Sequence, residues 1–246
     1  MVAPSWRWPM SATTQLTREP MTAPLAFVEW INQNLGFNPR AGKYSVALSM
    51  LVFDDLVGAQ PRLASPLLKP KPDADVTTLS ATRNIDFVLW GPRDTPGELV
   101  PHIAVENKLI LAAHGKARKN RLGDIIAFAN HVHNADRKAI ACGLIGINIS
   151  PDYANPDPFA AGMTRHRFAM DKVVADTVAI YAKLPQRTAL EEPYDRPEAF
   201  GVIVFSYDGK KKAQLVTAAT APQPDSPLSY DTFIRRIVEL YGQRRG

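Results

Sequence analysis

The run His102-Ile103-Ala104-Val105-Glu106-Asn107-Lys108-Leu109-Ile110 decides how the rest of this chain is read. It is a short apolar stretch that carries a charged triplet near its end. In an extended strand successive side chains alternate between faces, so Glu106 and Lys108 share one face and Asn107 takes the other. Upstream, Asp86 opens a second such run, Asp86-Phe87-Val88-Leu89-Trp90. Pairing of these two strands would bring two carboxylates and one ammonium to one place. Two carboxylates can hold a divalent cation, with the backbone carbonyl at Asn107 as a third oxygen donor. Mg²⁺, with Mn²⁺ as its substitute, suits such oxygen ligands. A cation of this kind lowers the pKa of a bound water and offsets the charge that makes a phosphodiester resistant to attack. Lys108 would sit beside the attacking water.

Working outward, Pro24 can open a helix over 25–34, and 44–57 reads as a second helix, apolar on nearly every side and so buried. A proline-rich loop over 61–72 follows, then strands near 76–80, 85–90 and 102–110, with Gly91-Pro92 starting the connection between the last two. Helical spacing of Leu122, Ile125, Ile126, Ala129 and Val132 marks 118–134 as the strongest helix. The apolar run 140–149 reads as a strand buried on both faces. Residues 152–158 read as a loop, 170–182 as a helix, and 200–207 with 214–218 as a hairpin turning at Asp208-Gly209. Ser229 can cap a last helix. This order predicts an α/β fold in which a mixed central sheet is flanked by helices. The expected organisation is a loose tail over 1–23 and one domain over 24–246.

The chain has 246 residues, of which 46% are hydrophobic, enough for one large domain with a full core. No apolar run is long enough to span a bilayer, and no signal-peptide pattern is seen, so the expected location is cytoplasmic. The single cysteine, Cys142, reads as a small core residue. The net charge of +5 is mild, but the basic residues cluster. His114, Lys116, Arg118, Lys119, Asn120 and Arg121 follow the decisive strand directly and are the candidate phosphate contacts. Lys210 to Lys212 form a second cluster beyond the hairpin turn. His131 and His133 face different ways on a helix and have no cysteine partners, which argues against zinc.

Asn84-Ile85-Asp86, then Val105-Glu106-Asn107-Lys108 with the two acids 20 positions apart, resembles the signature of the PD-(D/E)XK nucleases. In that family the core runs helix, three strands, helix, strand, with the motif on the second and third strands. The order read above between Tyr44 and Ile149 is the same. The resemblance covers somewhat under half of the chain. Ile85 replaces the nominal proline, and Asn107 is a polar choice for a position where small or apolar residues are more usual.

The resemblance implies a restriction-endonuclease-like core with Asp86, Glu106 and Lys108 as the catalytic set, and Asp86, Glu106 and the Asn107 carbonyl as metal ligands. An acidic residue of the first core helix often joins the metal in that family, which makes Asp54 or Asp55 a further candidate. Asn120 or Asp124 could act behind the ligands. The implied activity is Mg²⁺-dependent cleavage of double-stranded DNA, most like that of a type II restriction enzyme. Loops around 151–167 and 208–214 would then read bases. A palindromic site would imply a homodimer, and a DNA methyltransferase encoded next door would accompany it. The alternatives are a structure-specific repair or recombination nuclease of the resolvase kind, and a non-catalytic DNA-binding protein that has kept the fold.

Overall fold

A computed structural model describes residues 22–34, 43–93, 97–111, 114–151, 153, 170–210, 212–219 and 221–245. The expected loose segment 1–21 lies outside them. The elements in order are α1 (Thr22–Gln33), α2 (Lys43–Ala59), a 3₁₀ turn (Pro61–Ala64), β1 (Lys69–Thr77), β2 (Thr82–Pro92), β3 (Leu99–Ile110), α3 (His114–Ala135), β4 (Ile140–Asn148), α4 (Met170–Tyr181), β5 (Ala199–Ser206), β6 (Gln214–Leu215) and α5 (Tyr230–Arg245).

All six strands join one mixed sheet in sequence order. β1, β2 and β3 are antiparallel neighbours, β3 and β5 each run parallel to β4, and β6 returns antiparallel to β5. The parallel steps β3–α3–β4 and β4–α4–β5 need crossover helices, and these helices share one face of the sheet. Ile125, Phe128 and Val132 of α3 and Val174 and Tyr181 of α4 pack there against Val88, Ala104, Ala141, Ile145 and Val202. The opposite face is covered by α1, α2 and α5, through Phe27, Leu48, Val52, Phe233 and Ile237 against Phe87, Leu89, Val105, Leu144 and Ile203. Every residue of β4 is buried, as a central strand covered on both sides must be. Cys142 is among them, with no exposed surface. Among the described residues no helix is long and apolar enough to cross a membrane.

Several boundaries differ from the sequence reading. β1 begins at Lys69 and takes in Pro70 and Pro72, in a stretch expected to be loop. It is the edge of the sheet, where a residue without an N–H costs no ladder bond. Gly91-Pro92 ends β2, opposite Val100 and Leu99, and does not begin the connection. α1 starts at Thr22 and so uses two residues of the expected tail. The basic segment after β3 is the first two turns of α3, not a loop. Ser229 does cap α5, since its Oγ accepts the Thr232 N–H at 3.2 Å.

Candidate active site

The site is made where two strands part. β2 and β3 pair from Pro92–Leu99 to Phe87–Val105. Beyond Val105, β3 continues beside β4 only, with Glu106 opposite Gly143 and Lys108 opposite Ile145. On the other side of Phe87, β2 continues beside β1. A gap therefore opens between Asp86 and Glu106.

An irregularity in β1 accompanies it. Asp73 lies between the pairs Pro72–Phe87 and Ala74–Ile85, opposite Asp86, and has a φ of 50°. Aspartate is one of the few side chains that enters this left-handed region at modest cost. Past this point β2 departs from a strict period of two. Ile85 packs with Val88 and Phe128 on the α3 face, although regular alternation would separate Ile85 from Val88.

The Asp86 carboxylate fills the gap. Its Oδ2 accepts the Asn107 main-chain N–H at 2.8 Å. The N–H and C=O of one strand residue point to the same edge, so the Asn107 carbonyl is directed into the same gap. Lys108 Nζ lies 2.6 Å from Glu106 Oε1 and 3.9 Å from Asp86 Oδ2. Asp86, Glu106 and Lys108 thus meet at one spot, on the geometry that the alternation of β3 implies.

Glu106 is buried at 3% exposure, while Lys108 and Asp86 keep about a fifth of their side chains in solvent. Burial pushes the Asp86 carboxyl up to about 6, and the neighbouring Glu106 carboxylate pushes the same way. The Lys108 ammonium, the Asn107 N–H and the Ser45 hydroxyl oppose these effects without cancelling them.

The Asn107 side chain faces the other way, into α2. Its Nδ2 donates to Ser49 Oγ at 2.6 Å and to the Ser45 carbonyl at 3.2 Å. A polar residue in the middle of the triplet therefore docks β3 onto the helix through buried hydrogen bonds. Ser45 and Ser49 stand four apart in a largely apolar helix, a spacing that puts both on one face and was visible in the sequence.

Arg83 is the participant that pattern reasoning missed. Its Nη2 lies 3.1 Å from Glu106 Oε1 and 3.4 Å from the main-chain oxygen of Asp124. Three positions before Asp86, it belongs on the opposite face in a regular strand, and only the irregularity of β2 brings it round.

Asp55 does not join the carboxylates. Its Oδ2 accepts the Ala23 N–H at 2.8 Å and the Tyr230 hydroxyl at 3.0 Å, tying the start of α1 and the start of α5 to α2. It lies ten residues along α2 from Ser45, about 15 Å at 1.5 Å per residue. The Asp54 side chain is exposed.

Of the basic candidates, Lys116, Lys119 and Asn120 are exposed on the first turns of α3. Arg118 is ion-paired with Asp176 at 3.7 Å, and Arg121 with Asp124 at 2.8 Å. The Asp124 carboxylate is thus held by Arg121. The His114 side chain, Lys211 and the 154–167 part of the proposed base-reading loop lie outside the described residues.

The two helical histidines have structural partners. His131 Nε2 meets the Val76 carbonyl of β1 at 2.8 Å. His133 is buried against Glu198, 2.9 Å from its Oε2. Glu198 is fully buried and also receives Arg187 at 3.1 Å, Arg244 at 2.8 Å and the Ala141 N–H at 2.9 Å. Burial alone would raise its carboxyl, but His133 and Arg244 hold it below the ordinary value. This cluster ties α3, β4, the 182–198 segment and the end of α5 together.

Among the described residues, no group of three or more His, Cys, Asp and Glu side chains is placed to hold a metal. The two carboxylates of the gap still suit Mg²⁺, which usually binds through one or two carboxylates and completes its shell with waters and substrate phosphate. Burial raises Asp86 most and the Glu106 carboxylate adds to it, and a cation would relieve that added repulsion. No protein-family model matches this chain, and comparison with curated proteins gives no match.

Proposed function

We propose that the chain is a Mg²⁺-dependent DNA endonuclease of the PD-(D/E)XK kind, acting as a type II restriction enzyme. The observation that carries this reading is the convergence of Asp86 and Glu106 on Lys108 at the point where β2 and β3 separate. The order α2, β1, β2, β3, α3, β4 supports it, since the resembled core has the same order with its motif on the second and third strands.

In this reading Asp86, Glu106 and the Asn107 carbonyl would hold the cation. Once bound, it would supply charge neutralisation at the phosphodiester and a more acidic water. Asn107 positions the ligands through both of its halves. Its N–H fixes Asp86, and its amide fixes β3 to Ser45 and Ser49. Lys108 holds its ammonium beside both carboxylates, where it would orient an attacking water. Lys116 and Lys119 offer exposed charge to the flanking backbone of double-stranded DNA, and Arg118 and Arg121 stiffen the same helix end. A homodimer fits a palindromic site, with a neighbouring methyltransferase gene protecting host DNA.

Incubation of the full chain with plasmid and viral DNA in Mg²⁺ tests this. Discrete fragments are expected. Cutting restricted to branched or damaged DNA would replace the restriction role with repair. Binding with no cutting of any substrate, in Mg²⁺ or Mn²⁺, would overturn the assignment as a nuclease.

A further inference from the structure

One oxygen of Glu106 is claimed by two cations. Oε1 lies 2.6 Å from Lys108 Nζ and 3.1 Å from Arg83 Nη2, while the carboxylate itself is almost fully buried. Lys108 reaches both carboxylates, whereas Arg83 pairs with Glu106, so the arginine acts on one member of the pair. Arg83 keeps 28% of its side chain in solvent. Its remaining anchor is a long 3.4 Å hydrogen bond to the Asp124 carbonyl, a neutral acceptor. A guanidinium placed in this way can leave Glu106, which keeps Lys108 as its partner, for an anion that offers two oxygens at once. A phosphodiester, which accepts two parallel N–H bonds from arginine, is such an anion.

We propose that Arg83 is a positioning residue that competes with the divalent cation for Glu106 and gives it up to a DNA phosphate. Metal loading and phosphate binding are then coupled at one carboxylate. This rests on the nuclease reading above. In DNA-free protein Arg83 weakens cation binding by occupying Glu106 and by like-charge repulsion. When a phosphate engages the guanidinium, Glu106 is released to the cation. By linkage, the cation in turn favours the phosphate-bound position of Arg83.

The competition predicts opposite signs for two measurements on one variant. Mn²⁺ titrated into the full-length protein without DNA, at constant ionic strength and followed by the signal of free Mn²⁺, should bind R83Q more tightly than wild type, on the order of tenfold. R83K keeps the charge and should stay near the wild-type affinity. At saturating Mn²⁺, R83Q should cleave DNA at least about tenfold more slowly, because it lacks the guanidinium that meets phosphate. A residue that merely supports the fold would weaken both together. Unchanged or weaker Mn²⁺ binding in R83Q, or equal tightening in R83K, overturns the competition while leaving the nuclease reading intact. Tighter binding with undiminished cleavage overturns the hand-over to phosphate. Failure of both wild type and R83Q to bind Mn²⁺ or cut DNA removes the nuclease reading, and this proposal with it.

Discussion

Asp86 Oδ2 accepts the Asn107 N–H at 2.8 Å, in the position where a β2 carbonyl would stand if the ladder ran on. A side chain thus takes over a backbone role one residue past the last strand pair. The same peptide region carries Glu106 and Lys108, so the two acids are fixed to each other through a single hydrogen bond, and their separation does not depend on a flexible loop.

The cost of that arrangement is visible in pH. The folded-state pKa of Asp86 is raised from 3.8 to about 6. A raised acid leaves stability intact below its unfolded value and removes it as pH rises through the folded value. Asp86→Asn keeps an oxygen for the Asn107 N–H and carries no charge. It should be as stable as wild type near pH 3.5 and more stable by about 3 kcal/mol at pH 8. Urea denaturation at both pH values measures the difference; a gap that is the same at both would show that Asp86 is not destabilised by ionising.

Cations should reverse that cost. Mn²⁺ at a hundredfold excess over its dissociation constant would stabilise the protein by about 2.7 kcal/mol at pH 8. At pH 5, with Asp86 mostly protonated, the gain should shrink markedly. Thermal melts with and without Mn²⁺ report this directly. Glu106→Gln should abolish the metal-dependent shift and reduce cleavage at least a hundredfold, while DNA binding in Ca²⁺ persists.

Most of the fold was legible because its signals are local or periodic. The central strand, β4, and the amphipathic α3 announced themselves by run length and spacing. The face shared by Glu106 and Lys108 followed from alternation in β3. What escaped were effects decided by neighbours. Pro70 and Pro72 look like loop residues until β1 is known to be an edge. Arg83 sits on the wrong face until the left-handed Asp73 is known to disturb the strand beside it. The acids of α2 looked equivalent in sequence, and only packing assigns Asp55 to Ala23 and Tyr230.

The amide of Asn107 gives a further test. Asn107→Ala removes the amide that donates to Ser49 Oγ and to the Ser45 carbonyl. A loss of about 1–3 kcal/mol is expected from the two hydrogen bonds removed. Cleavage should fall as well, because β3 would lose its tie to α2. Ser49→Ala should show the same effect in weaker form, measured by denaturation and plasmid cutting in parallel.

The exposed lysines of α3 should act on affinity alone. Lys116→Ala and Lys119→Ala together should lower the slope of log affinity against log salt by about 2 if both meet phosphate, with no change in melting temperature. An unaltered slope would remove both lysines from any phosphate contact. Arg118→Ala should also cost stability, since it breaks the pair with Asp176.

Glu198 offers the contrasting acid. Its lowered pKa means that its contribution is present above the ordinary carboxylate range and is lost as pH falls through the lowered value. Glu198→Ala strands Arg187 and Arg244 in the interior, at an expected cost of about 3–5 kcal/mol. The measurement is denaturant midpoint at neutral pH, where a loss below 1 kcal/mol would mean that both guanidinium groups find other acceptors.

The two borders of the sheet decide how copies of this chain can meet. One is β1, where Pro70 and Pro72 interrupt the row of donors and Lys69 and Lys71 stand exposed. The other, β6, is two residues long. Both are poor templates for an added strand from a second molecule. Among the described residues, helix and loop surfaces therefore offer more to a second copy than either border of the sheet does, and the same two borders disfavour edge-to-edge stacking into fibres.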